Sequence, residues 1–108
     1  MDRFKVVFAP RADADLKSIT SFIARRSSAE VAGRFGNQLI DKALTLTTLP
    51  ERGRVVPEFD HPSIREIIFK TYRIIYRIQD DVIQVIRFWH AARGTPQIDT
   101  DEFSKFGP

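Results

Sequence analysis

The chain has 108 residues, a formal charge of +3 and no cysteine. That length allows one domain with one modest core, and the missing cysteines exclude a disulfide scaffold and thiol chemistry. The longest uncharged apolar run is far too short to span a bilayer, and the start MDRFKVVF has an acid at position two and no apolar leader core, so a soluble cytoplasmic protein without signal peptide or membrane segment is expected.

Phe4 to Phe8 alternates weakly and is rich in valine and phenylalanine, which predicts a first strand; the Ala9-Pro10 step suits a helix entrance. Ala12, Leu16, Ile19 and Ile23 then recur at the spacing of one buried helical stripe, with Arg11, Asp13, Asp15 and Lys17 largely outside it. Ser27 and Ser28 interrupt the pattern and can cap a second helix, whose stripe is Val31, Phe35, Leu39, Ala43 and Leu46. The two make a helical hairpin. Pro50, Gly53 and Pro57 punctuate a loop, ERGRVVPEFDHP, that leads into SIREIIFKTYRIIYRIQDDVIQVIRFWHAAR, read as a three-strand antiparallel meander ending in His-x-x-Arg. Residues 95–108 hold two prolines and a glycine and include Phe103 and Phe106, which predicts an irregular tail able to dock elsewhere. The expected organisation is one α+β domain over 1–94 with a tail over 95–108. Its N-terminal strand and meander form one sheet with the helical hairpin on one face.

Strand side chains alternate faces, so hairpin register decides which residues share a surface. With Asp80-Asp81 as a two-residue turn and an unbroken ladder, Tyr72, Ile74, Tyr76 and Ile78 lie opposite Trp89, Arg87, Val85 and Ile83 on a mostly apolar face for the helices. Tyr72 and Trp89 then read as a core aromatic pair. The other face carries Arg77 opposite Gln84, Ile75 opposite Ile86 and Arg73 opposite Phe88. It places Arg73 and His90 as diagonal neighbours about 7 Å apart or a little more. With Lys70-Thr71 as a second two-residue turn, Ile68 lies opposite Arg73, Glu66 and Ile64 join this second face, and Arg65 falls on the first.

From His61 to Arg93 the chain carries six Lys/Arg against three acids. The second face is therefore expected to stay open, bearing Arg73, Arg77 and His90 with Arg93 at its rim. Such a surface suits phosphates, an acidic peptide or a protein groove. Its mixture of arginines with exposed Ile75 and Ile86 is a poor final state for a free domain, so a partner chain is expected to cover it. Arg93 can also anchor the tail through Asp99 or Asp101. His61 and His90 lack ligand spacing and no phosphate loop occurs, so neither a metal site nor a cofactor is expected.

The segments FAPRADADLKSITSFIARRS, AEVAGRFGNQLIDKALTLTTLPERGRVVPE and IREIIFKTYRIIYRIQDDVIQVIRFWHAAR, in this order and over nearly the whole length, resemble the ParE/RelE superfamily of toxins from bacterial type II toxin-antitoxin modules. The resemblance implies two N-terminal helices packed on an antiparallel sheet. It also implies a cognate antitoxin whose C-terminal segment wraps and silences the toxin, supplying acids and apolar anchors as a helix followed by a strand or extended stretch.

Two activities divide that superfamily. RelE-like members cut messenger RNA on the ribosome without a metal: a 2′-hydroxyl attacks the neighbouring phosphate, so basic groups must stabilise charge and a donor must assist the leaving oxygen. ParE-like members poison DNA gyrase. Arg73 matches a phosphate-contacting arginine of the RelE-like members and Arg93 lies near a second. Ile64 and Glu66, however, stand where RelE has two lysines, and Asp99 where it has a late tyrosine. Some RNA-cutting relatives use a histidine near His90 and a glutamate, which would make Arg73, His90, Arg93 and Glu66 the catalytic set. The loop PERGRVVPE, the Ile-Arg-Glu-Ile strand and the His-x-x-Arg ending resemble the ParE pattern. The resemblance thus favours a gyrase poison over a ribosome-dependent endoribonuclease or a non-toxic interaction module. Arg65, Arg73, Ile75, Arg77, Ile86, His90 and Arg93 are the expected antitoxin- or target-binding residues.

Overall fold

The computed structural model describes residues 4–98. A strand, β1 (Lys5–Phe8), leads into helix α1 (Pro10–Arg26), and Pro10 sits in the first turn, where a missing N–H costs nothing. Only Ser27 and Ser28 separate α1 from helix α2 (Ala29–Leu44), with the Ser28 hydroxyl accepting the Val31 N–H as its cap. The helices approach closely at Gly36, where a Cβ would come within 2.9 Å of the Thr20 methyl. The buried stripe of α2 is Ala32, Gly36, Leu39 and Ala43. Val31, expected to open that stripe, is 38% exposed, because the small residues one position on allow the closer helix contact.

Single turns of 3-10 helix at Thr45–Thr47 and Pro50–Arg52 precede a two-residue edge strand, β2 (Arg54–Val55). The meander follows as β3 (Ile64–Phe69), β4 (Tyr72–Gln79) and β5 (Val82–His90), and a last 3-10 turn spans Ala91–Arg93. Lys70 and Asp80 open the two tight turns with positive φ, the backbone such turns require even without glycine. The five strands form one sheet in the order β1-β5-β4-β3-β2, all neighbours antiparallel except β1, which runs parallel to β5. Lys5 pairs with Val82 and Phe8 with Val85, so the first strand closes the sheet beside the last.

The β3–β4 register is the expected one, with Ile68 opposite Arg73, Glu66 opposite Ile75 and Ile64 opposite Arg77. The β4–β5 ladder is as expected only from the turn as far as Tyr76 opposite Val85. A bulge lies there, and beyond it Ile75 pairs with Arg87, Ile74 with Phe88, Arg73 with Trp89 and Tyr72 with His90. Ile86 is the extra residue, and every side chain after it changes face. This corrects three expectations: Tyr72 lies opposite His90 rather than Trp89, Arg73 and His90 are on opposite faces, and Arg87 is off the helix-facing side. The physical reason is charge. An unbroken ladder would drive the Arg87 guanidinium under the helices, whereas the bulge puts Phe88 there, stacked 6.1 Å from Phe8.

Two apolar clusters result. Ile67, Ile74, Tyr76, Ile83, Val85 and Phe88 pack under Ala12, Ile19, Leu39, Ala43 and Leu46. On the far face Val56, Ile64, Ile75, Ile86 and Trp89 form a second core with Phe59 and Ile98. The far face, expected to be open, is therefore covered over its middle by the chain's own 56–62 loop and by the segment after Gly94. Ile75 and Ile86 are 0% exposed instead of presented to a partner.

Candidate interaction face and its charge network

Arg73, the second residue of β4, emerges onto the far face, where Glu66 of β3 and Glu58 of the covering loop meet it. Its Nη1 and Nη2 donate to the two Glu58 oxygens at 3.0 and 2.8 Å in a fork-to-fork pair. Its Nε donates to Glu66 at 2.5 Å and Nη2 reaches the same carboxylate at 3.2 Å. Arg54 of β2 closes the network from the edge, Nε to Glu66 at 2.6 Å. The Glu66 side chain is fully buried, so the two arginines are the condition on which its charge can be there at all.

Two arginines and two glutamates cancel. The hydrogen bonds from Arg73 hold the Glu58 carboxyl down at about 2 against the opposing effect of burial, and the two carboxylates push Arg73 further up. An incoming phosphate would have to displace Glu58 to reach that guanidinium.

Arg65, on the helix side of β3, donates to the carbonyls of Pro62, Glu51 and Gly53 and so ties the Pro62 end of the covering loop to the turn that precedes β2. The Tyr76 hydroxyl, buried beneath it, donates to Pro50 O at 2.6 Å and accepts the Gly53 N–H at 3.1 Å. Burial raises the pKa of this phenol and that of Tyr72.

At the open end of β5 a second set of groups gathers. Asp15 of α1 accepts Arg87 Nε and Nη2, both at 2.8 Å, and also the Phe88 N–H at 3.0 Å, a strand donor left over where β1 has ended. Arg87 also donates to Gln97 O at 2.6 Å, holding the chain end against β5. His90 Nδ1 accepts the Ala92 N–H at 3.1 Å, and its ring meets Tyr72 edge-on at 5.0 Å. Arg93 lies with its guanidinium carbon 4.1 Å from the centre of the Trp89 ring. His90, Arg93, Tyr72 and the half-exposed Phe22 share a cleft of about 200 Å³ with Asp15.

Of the residues singled out in the sequence, Arg73 and Glu66 meet in one ion network, Ile75 and Ile86 in one core, and His90 and Arg93 in one cleft. Arg77 lies apart, lining a cleft at the hairpin end. Arg73 and His90 do not meet. Glu58, Arg54 and Asp15 were not singled out, and only the pairing of loop and edge to strands far along the chain reveals them. Asp99 and Asp101, the alternative partners for Arg93, lie outside the described residues. Among the described residues no three His, Asp or Glu side chains gather to hold a metal ion, and no helix is long and apolar enough to cross a membrane.

A β1–helical hairpin–meander arrangement is shared with solved toxin-antitoxin structures. A chain of the chromosomal ParDE system of P. aeruginosa matches with a TM-score of 0.71 at 18% identity, over 81% of this chain and 95% of that one. A chain of the RelBE2 toxin-antitoxin complex of Mycobacterium tuberculosis matches with a TM-score of 0.63 at 22% identity, over 83% and 93%. In sequence, Toxin RelE2 of Caulobacter vibrioides is 34% identical over 90 residues, 82% of this chain and 97% of that protein. The model of the ParE toxin of type II toxin-antitoxin systems matches residues 6–94, and the chain belongs to that family.

Proposed function

We propose that this toxin acts in the cytoplasm by binding and poisoning DNA gyrase, thereby blocking replication, and that a cognate antitoxin neutralises it. The observation that carries this reading is the occupation of Arg73. The guanidinium that an RNA-cutting relative would offer to a phosphate is engaged here by Glu58 and Glu66, in a cluster that with Arg54 has zero formal charge. Cleavage by attack of a 2′-hydroxyl needs unpaired positive charge around the scissile phosphate, and this face supplies none from Arg73. A protein target needs only a shaped surface.

On this reading the surface groups that engage the target or the antitoxin are Arg77, His90 and Arg93, with Phe22 as the apolar anchor beside the last two. Ile75, Ile86 and Arg73 serve a partner only if the 56–62 loop is displaced. The chains aligned in the ParDE and RelBE2 structures support an antitoxin partner for this one.

Purified toxin is expected to block gyrase supercoiling and to trap cleaved DNA complexes. Full supercoiling at a large molar excess of toxin rejects the proposal. Translation-dependent cuts in messenger RNA would assign the ribosome instead, and normal growth after strong induction without antitoxin would mark a non-toxic interaction module.

A further inference from the structure

Four arginines are committed to partners within the chain. Arg73 is held by two glutamates, Arg87 by Asp15 and Gln97 O, Arg65 by three backbone carbonyls and Arg34 by Glu30. The β2 edge of the sheet is different. There Lys42 from the last turn of α2, Arg52 from the turn Pro50–Arg52 and Arg54 from β2 line one open groove of about 360 Å³, together with Ile67 and Ile68.

Among the described residues the Lys42 ammonium and the Arg52 guanidinium make no hydrogen bond or ion pair. Arg54 commits only its Nε, to Glu66, and its side chain is 62% exposed, so both terminal nitrogens remain free to donate. Glu66 is the one acid among the described residues that line the groove, and Arg73 and Arg54 already meet its charge. The groove therefore presents unmet positive charge. Its mounting is also rigid. Between Arg52 and Arg54, the Gly53 N–H is bonded to the Tyr76 hydroxyl at 3.1 Å and the Gly53 carbonyl accepts Arg65 at 2.9 Å. Cations carried on a backbone fixed in this way lose less freedom when a ligand arrives.

We infer that this edge docks duplex DNA through its phosphates, and that it lies against the cleaved DNA in the gyrase complex proposed above. A duplex offers a line of phosphates, one negative charge per about 1.7 Å of axis, which suits donors spread around an open groove. A single small anion would need them to converge on one point. A poison that holds cleaved DNA on its enzyme has DNA within reach, and contacts to phosphate grip it without regard to sequence. The inference takes its setting from the gyrase reading, while the contact itself depends only on these three cations.

Fluorescence anisotropy of a short labelled DNA duplex with the full-length toxin measures the contact. Three neutralised phosphates give a slope of about −2.7 in log K against log salt, so affinity is expected to fall about fortyfold from roughly 50 to 200 mM salt. Lys42→Gln combined with Arg52→Gln leaves one such contact and should bring the slope to about −0.9, with the circular dichroism spectrum unchanged. The same double variant is expected to associate normally with gyrase in the absence of DNA yet to trap about tenfold less cleaved DNA. Absence of duplex binding by the unaltered toxin at low salt overturns the inference, as does a slope that the double variant leaves unchanged. Tighter binding of a single-stranded RNA of equal length, or undiminished trapping, does the same. A toxin that grips the duplex but leaves supercoiling untouched upholds the DNA surface and removes its setting on gyrase.

Discussion

Arg73 and Glu58 face each other fork to fork, 3.0 and 2.8 Å across, and this one pair turns an arginine that looks available in the sequence into the clasp of a loop. The loop it clasps roofs the second core. Arg73 therefore contributes to the fold through Glu58 and to the burial of Glu66 at the same time.

The two glutamates should differ in cost. Glu66→Gln leaves Arg73 short of a charge deep in the sheet and is expected to cost about 3 kcal/mol, as for one lost partner of a buried pair. Glu58→Gln, at a side chain 30% exposed, should cost well below half of that. Urea unfolding of both variants checks the ranking, and equal losses would contradict it.

The same pair sets an acid dependence. Glu58 is held at about 2 in the folded chain against an ordinary 4.5, so its contribution is complete above pH 4.5 and is lost as pH falls through 2. The gap in urea midpoint between the unaltered protein and Glu58→Gln is expected to be constant near neutrality and to close towards pH 2. A gap that widens on acidification would give the opposite sign.

Gly53 is required for space rather than for its backbone angle. An added Cβ would run into the Tyr76 hydroxyl and Glu66 O, both fixed by the sheet, so Gly53→Ala is expected to lower stability by about 2 kcal/mol. Tyr76→Phe strips the Gly53 N–H of its acceptor and should cost about 1–2 kcal/mol. Thermal unfolding of each measures this.

Asp15 and Arg87 form a test of burial. Arg87 is 4% exposed, so Asp15→Ala, which also orphans the Phe88 N–H, is expected to destabilise by about 3 kcal/mol or more. Replacing both charges together, Asp15→Leu with Arg87→Met, should cost less than the single change. A double-mutant cycle by chemical unfolding provides the comparison.

For activity, Arg93→Glu is expected to reduce gyrase inhibition at least tenfold while leaving the melting temperature within a few degrees, since its cation–π contact lies at the surface. Arg73→Ala should lose activity only in step with folded protein. Inhibition assays normalised to circular dichroism separate the two, and the reverse pattern would return Arg73 to the functional site.

Much of the fold was legible locally. The Ala9-Pro10 entrance, the Ser28 cap, the Ala12-Leu16-Ile19-Ile23 stripe and the two-residue turns at Lys70-Thr71 and Asp80-Asp81 each depend on neighbours a few positions apart, and a single sequence carries such signals. The site was less legible. Glu58, Arg54 and Asp15 gain meaning only when a loop, an edge strand and a helix reach strands that lie far along the chain.

The sequence by itself determined the first strand, the two helices, the three meander strands, their order, the β3–β4 register and the family resemblance, because those follow from periodicity, turn chemistry and motif order; the edge strand β2 lay in what reads as a loop. Only the tertiary structure decided where the arginines ended. One extra residue at Ile86 inverts the end of β5, since burying Arg87 beneath the helices would cost more than breaking the ladder, and β1 and the 56–62 loop find their places by contacts between distant segments. The sequence placed Arg73, Ile75, Arg77 and Glu66 on one face, but the bulge moved His90 off it and brought Arg87 and Trp89 onto it. That it is roofed and neutralised is a consequence of packing alone.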